Sequence, residues 1–160
     1  MNGMFNGASS FNGDVSNFDT SKVTDMRGIM FAQATLFNGD LSNFDTSSVT
    51  SMWSMFKGAS SFSGRGLSNF DTSSVTSMWS MFYGTTSFNR DGVSNFDTSK
   101  VTDMRNMFYG ATLFNQDLCA WQDSFPYHSK AKDIFTNSSC TYQDTPQEDT
   151  NGPFCASDCR

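Results

Sequence analysis

The sequence predicts an α/β solenoid of about four and a half coils, each with one short parallel strand and one short helix, closed by a disulfide-bonded cap. Three observations predict it. The stretch "SNFDTSKVTDM" at Ser16 returns nearly unchanged at Ser42, Ser68 and Ser94, so that Phe18, Phe44, Phe70 and Phe96 stand 26 residues apart. Val23, Val49, Val75 and Val101 keep the same period, as do Met26, Met52, Met78 and Met104. Self-similarity at a fixed period of this length marks repeats that bury one another's apolar faces. Second, hydrophobic residues are only 37% of the 160, yet 17 are Phe and 10 are Met, which suits a thin core repeated many times. Third, the Phe-to-Phe steps run 12, 6 and 8 in two repeats and 13, 6 and 7 in the first, so the total stays at 26. The extra residue of "RGIMF" over "RNMF" is thus matched by one fewer elsewhere, as a coil of fixed circumference favours.

Within each repeat, "LSNFDTS" reads as a short strand that points Leu41 and Phe44 inward. Asp45 can accept the backbone N–H of Ser47, an Asx turn that stops the strand. "VTDMRNMFYG" reads as a short helix. Thr102 is its cap, Asp103 suits its positive end, and Met104, Met107 and Phe108 share one face. Gly110, Gly58 and Gly84 fall where a left-handed residue ends a helix. "FNGD" is a tight corner.

The repeat "FNGDLSNFDTSSVTSMWSMFKGASSF" and its sister copies resemble the BspA-like surface-protein repeats of 26 residues, a divergent leucine-rich-repeat type. The resemblance spans roughly residues 4–118. It implies a right-handed, leucine-rich-repeat-like coil on a secreted or cell-surface protein, in a group linked to adhesion and partner binding. It does not imply an enzyme.

Two parts follow: residues 1–118 as the repeat array, beginning mid-repeat, and residues 119–160 as a cysteine-containing C-terminal cap. "MFNGASSF" at the start matches the second half of a repeat, so an open first coil is expected, with self-association through that uncapped end. In the cap, "FNQDLCAW" places Trp121 where Phe would stand, and "KDIFTNSSC" is a degraded helix with Ile134-Phe135 standing for Met-Phe. Cys119, Cys140, Cys155 and Cys159 all lie in this short region and read as two disulfides, hence an oxidising compartment; zinc is the competing reading. Their spacing leaves three pairings open. Asn137-Ser138-Ser139 is a candidate glycosylation site.

Stacking aligns equal positions into columns. Asn17, Asn43, Asn69 and Asn95 read as a ladder to backbone groups. Asp19, Asp45, Asp71 and Asp97 read either as carboxylates accepting N–H groups in their own turns or as a calcium ladder; no other metal or cofactor is expected. Thr20, Thr46, Thr72 and Thr98 could form the hydroxyl row of an ice-binding face. Arg27, Trp53, Trp79 and Arg105 each follow an inward Met and should stand outward as an aromatic strip with cation–π ends, beside Lys57, Tyr83 and Tyr109. Those rings are either packing or a binding strip for glycan or protein.

Net charge is −6 without a basic cluster, which argues against nucleic acid. No apolar run approaches the ~18 residues that a membrane span requires. His128, the one histidine, has no nucleophile at a recognisable spacing, and the repeated Ser and Asp recur as scaffold residues do. The expectation is a non-enzymatic scaffold or adhesion platform. An ice-binding protein through the Thr column and a filament subunit by end-to-end stacking are the alternatives.

Overall fold

A computed structural model describes residues 3–27 and 30–159. The 26-residue units do lie on one another in register, but they are not an α/β solenoid. Among the described residues there is no α-helix and no strand, only four short 3-10 helices, Leu67–Asn69, Val93–Asn95, Cys119–Ser124 and His128–Ala131. Isolated parallel bridges join Asp25 to Ser51, Ser51 to Ser77 and Ser77 to Asp103.

The destinations of the backbone hydrogens explain the difference. In the stretch 52–59, the N–H groups of Met52, Ser54, Phe56 and Gly58 donate to Ser77, Trp79, Met81 and Tyr83 of the next turn. The N–H groups of Met55, Lys57 and Ala59 donate three residues back, to Met52, Ser54 and Phe56. Every second hydrogen therefore closes a β-turn and every other one ties two repeats together. A helix would keep all of them for itself. Ser54, Ser80, Asn106 and Asp133 have φ of 56, 54, 56 and 59°, left-handed values that interrupt any helix in mid-stretch. The expected strand fails likewise: the N–H groups of Phe44, Phe70 and Phe96 bond back to Leu41, Leu67 and Val93, so the Leu–Phe pair is buried by a turn and not by alternation. Thr24, Thr50, Thr76 and Thr102 cap nothing. They are exposed, and the hydroxyls of the last three donate to the carbonyl of the preceding Thr at 3.1–3.2 Å. The expected compensating insertion falls at Gly28 and Ile29, outside the described residues.

The core is two columns of stacked rings. Phe5, Phe31, Phe56, Phe82, Phe108 and Phe135 follow one another at centroid distances of 5.4, 5.7, 5.6, 5.5 and 6.0 Å. Phe11, Phe37, Phe62, Phe88 and Phe114 form the second column, and each repeat's own pair meets at 3.9–4.2 Å. Such pairs contribute about 0.5–1.5 kcal/mol each beyond the area they bury. Met26, Met52, Met78 and Met104 fill the flank, fully buried. Gly66, at φ 87°, lets one repeat approach the last: a Cβ there would lie 2.3 Å from the Ser42 nitrogen.

The C-terminal segment continues the register. Met104, Asn106, Phe108 and Gly110 donate to Lys130, Lys132, Ile134 and Thr136, so Ile134 and Phe135 do stand in the Met and Phe places, without the helix. Trp121 fills the Phe place, buried, 6.3 Å from Phe108. Cys119 pairs with Cys159 and Cys140 with Cys155, which closes one of the three connectivities and leaves no free thiol for zinc. No described helix is long and apolar enough to cross a membrane.

Candidate binding surface

The parallel bridges fix which residues line up two positions on, namely Arg27, Trp53, Trp79 and Arg105. Trp53 and Trp79 stack at 4.9 Å with only 2° between their planes. The Arg105 guanidinium lies over the far face of that pair, 5.0 Å from the Trp79 centroid. Trp53 is 36% exposed, among the most exposed large apolar side chains of the molecule. Trp79 has a ring on one face and a guanidinium on the other, so it meets solvent with its edge.

The two arginines are held in the same way. Asp103 accepts the Arg105 backbone N–H at 3.2 Å and its Nε and Nη2 at 2.9 and 2.6 Å. These hydrogen bonds push the guanidinium pKa up and keep it charged. Asp25 accepts the Arg27 N–H at 2.9 Å and pairs with its Nε at 2.7 Å. The cation–π contact expected at both ends is seen at the Arg105 end.

Beside this column, Tyr83 and Tyr109 stack at 5.0 Å, with the Lys57 ammonium 5.0 Å from the Tyr83 centroid. The Tyr109 hydroxyl accepts from the Asn137 amide at 3.1 Å, so the exposed sequon asparagine is tied to this column. One member of the first column was missed in the sequence. The N–H groups of Ser54, Ser80 and Asn106 donate to Trp79, Arg105 and Lys132 in turn, which makes Lys132 the next rung. The only sequence signal was the "DIF" match, which sets the register of the degraded repeat two residues later.

The other columns bond within the chain. The Asp19, Asp45, Asp71 and Asp97 carboxylates each accept the N–H of the Ser two residues on, at 2.9–3.0 Å. The Ser21, Ser47, Ser73 and Ser99 hydroxyls, and then those N–H groups, hold all four carboxyls below the usual aspartate range, outweighing burial and, at Asp45 and Asp71, the repulsion of neighbouring carboxylates in the column. Asn43 and Asn69 donate to the carbonyls of Ser16 and Ser42 in the preceding repeat. Thr20, Thr46, Thr72 and Thr98 do not form a hydroxyl row for ice: they are buried, and their hydroxyls are engaged with Asp45 N–H, the Asp71 and Asp97 carbonyls, and Ser124.

His128 lies at the mouth of a cleft of about 430 Å³ whose lining includes Val101, Phe125, Tyr127, Lys130 and Glu148. Its Nε2 is 2.9 Å from Glu148, and both are well exposed.

A protein family described as "Mycoplasma protein of unknown function, DUF285" matches residues 1–66 and, in an overlapping second match, residues 30–148. No curated protein and no solved structure matches the chain.

Proposed function

The chain belongs to the DUF285 family, and from that premise we propose that it is a non-enzymatic binding module of the cell exterior, whose Trp53–Trp79 strip engages a glycan or protein partner. The observation that carries the reading is the stacked, partly exposed indole pair with a guanidinium across one face. Exposed aromatic patches rimmed by polar groups mark interaction sites on otherwise polar proteins, and Trp, Tyr and Arg dominate binding energies where they are found. A rigid stack of turns holds these side chains at fixed spacing, so little conformational freedom is lost on binding. Two disulfides fit an oxidising, non-cytoplasmic setting, and the BspA-like character of the repeat supports display at a surface. The Ser and Asp residues of the repeated Asp-x-Ser turns are bonded to one another, in support of a role without catalysis.

The test is binding to arrays of glycans and surface proteins by the intact chain and by Trp53→Ala/Trp79→Ala. The expected result is a ligand whose affinity falls about tenfold or more in a double variant that keeps its far-ultraviolet circular dichroism. Binding unchanged in that variant would reduce the indole pair to packing and leave a rigid spacer as the reading.

A further inference from the structure

We infer that the partner of this strip is an acidic polysaccharide, a linear chain of pyranose rings carrying carboxylates at regular intervals; the inference rests on the strip being a binding surface. The first argument is register. The outward column runs Trp53, Trp79, Arg105, Lys132, each joined to the next repeat by a backbone hydrogen bond of 2.9–3.0 Å from the residue that follows it. The column beside it runs Asp25, Ser51, Ser77, Asp103 and then Lys130, since Met78 donates to Asp103 and Met104 to Lys130. Asp25 and Asp103 are taken up by Arg27 and Arg105. Lys130 and Lys132 are exposed and have no ion-pair partner among the described residues. The strip therefore ends in two exposed lysines outside any described ion pair, Lys130 sharing a cleft with Glu148, on a chain whose net charge is −6.

The second argument is ring orientation. A neutral sugar recognised by stacking needs an open ring face, and both faces of Trp79 are covered. Apart from the outer face of Trp53, which no described cation covers, the strip offers ring edges, the positive part of the aromatic quadrupole. It also offers two indole N–H groups that nothing among the described residues accepts. Edges, N–H donors and ammonium groups all favour an anionic acceptor. The third argument is spacing. Rungs lie 4.9–5.0 Å apart. An extended peptide puts same-side side chains roughly 6.6 Å apart and drifts out of phase within a few rungs. A chain of pyranose rings advances by about one ring per rung. The rest of the acidic surface turns a polyanion away, which confines it to this strip.

The experiment is calorimetric or interferometric titration of the disulfide-intact chain with polygalacturonate, with polyglutamate and dextran as comparisons. Polygalacturonate should bind, more weakly as salt is raised, with dextran silent and polyglutamate about tenfold weaker. Lys130→Ala/Lys132→Ala should weaken polygalacturonate about tenfold, as should Trp53→Ala/Trp79→Ala. Polyglutamate binding as tightly as polygalacturonate would overturn the inference in favour of an acidic polypeptide. Binding unmoved by Lys130→Ala/Lys132→Ala would overturn it too. Equal binding of dextran, lost in the Trp variant, would overturn the acidic partner while keeping the strip. Polygalacturonate binding that survives in the Trp variant would overturn both.

Discussion

At the scale of single residues, the Asp-x-Ser turn is the repeated device that closes each corner. Its carboxylate takes a hydroxyl and an N–H, so ionisation is favoured in the folded chain over the unfolded one. A folded-state pKa held below the ordinary value of 3.8 gives stability that is complete above that value and is lost as pH falls through the lowered one. The melting temperature should therefore hold on acidification to about pH 4 and drop below it. Replacing Ser21, Ser47, Ser73 and Ser99 by Ala should flatten that acid limb; an unchanged limb would place the acid sensitivity elsewhere. Trp121 is the opposite kind of residue. It occupies a position otherwise held by Phe, and its indole Nε1 is buried with no partner among the described residues. An unpaired buried donor costs about 1–3 kcal/mol. Trp121→Phe removes that cost along with some contact area, so urea denaturation should find it near neutral, whereas Trp121→Ala should lose about 3–5 kcal/mol.

At the scale of elements, the turn ribbon of residues 104–110 shows what the sequence revealed and what it concealed. The apolar positions Met104, Met107 and Phe108 were legible, because burial needs only that they face one way. Helix was the wrong inference from them, since a run of β-turns repeats the three-residue spacing that a helix also shows. The bond from Met107 N–H to Met104 carbonyl is common to both readings. A discriminating sign was present only at Asn106, a type that visits left-handed backbone, whereas Ser54 and Ser80 adopt the same φ without that preference. At position 106 the predictions separate cleanly. Asn106→Gly keeps the N–H to Lys132 and relieves the φ of 56°, so the melting temperature should hold or rise. Asn106→Val should cost about 1–3 kcal/mol, and equal stability of the two would refute the left-handed assignment. The Trp column was legible for the same reason as the core, from its place beside an inward Met. Lys132 was not, because its register depends on the degraded repeat that only the backbone bonds identify. The Thr20 column was misjudged because the pattern alone does not say which side of a corner faces inward.

At the scale of the whole molecule, one Phe column runs unbroken from Phe5 to Phe135 and the other from Phe11 to Phe114, so each repeat is held chiefly by its two neighbours. The disulfides, of sequence separation 15 and 40, both fall in the C-terminal segment. Loop-closure estimates assign them about 3 and 4 kcal/mol respectively. Reduction should therefore loosen the end before the middle. Hydrogen exchange under reducing conditions should speed up at Ile134 and Ser138 while the amides of Phe56 and Phe82 stay protected. Uniform acceleration would mean that the cap and the stack melt as one. The turn-upon-turn arrangement also stores chain length. Each 26-residue turn can reach about 90 Å when drawn straight, yet it adds only the thickness of one stacked ring to the folded body. Tension applied between the first turn and the cap would release that slack in near-equal steps, while the Cys119–Cys159 crosslink keeps the last 40 residues from paying out. Anchored at one end and loaded at the other, such a chain lengthens many-fold before its covalent backbone bears the strain.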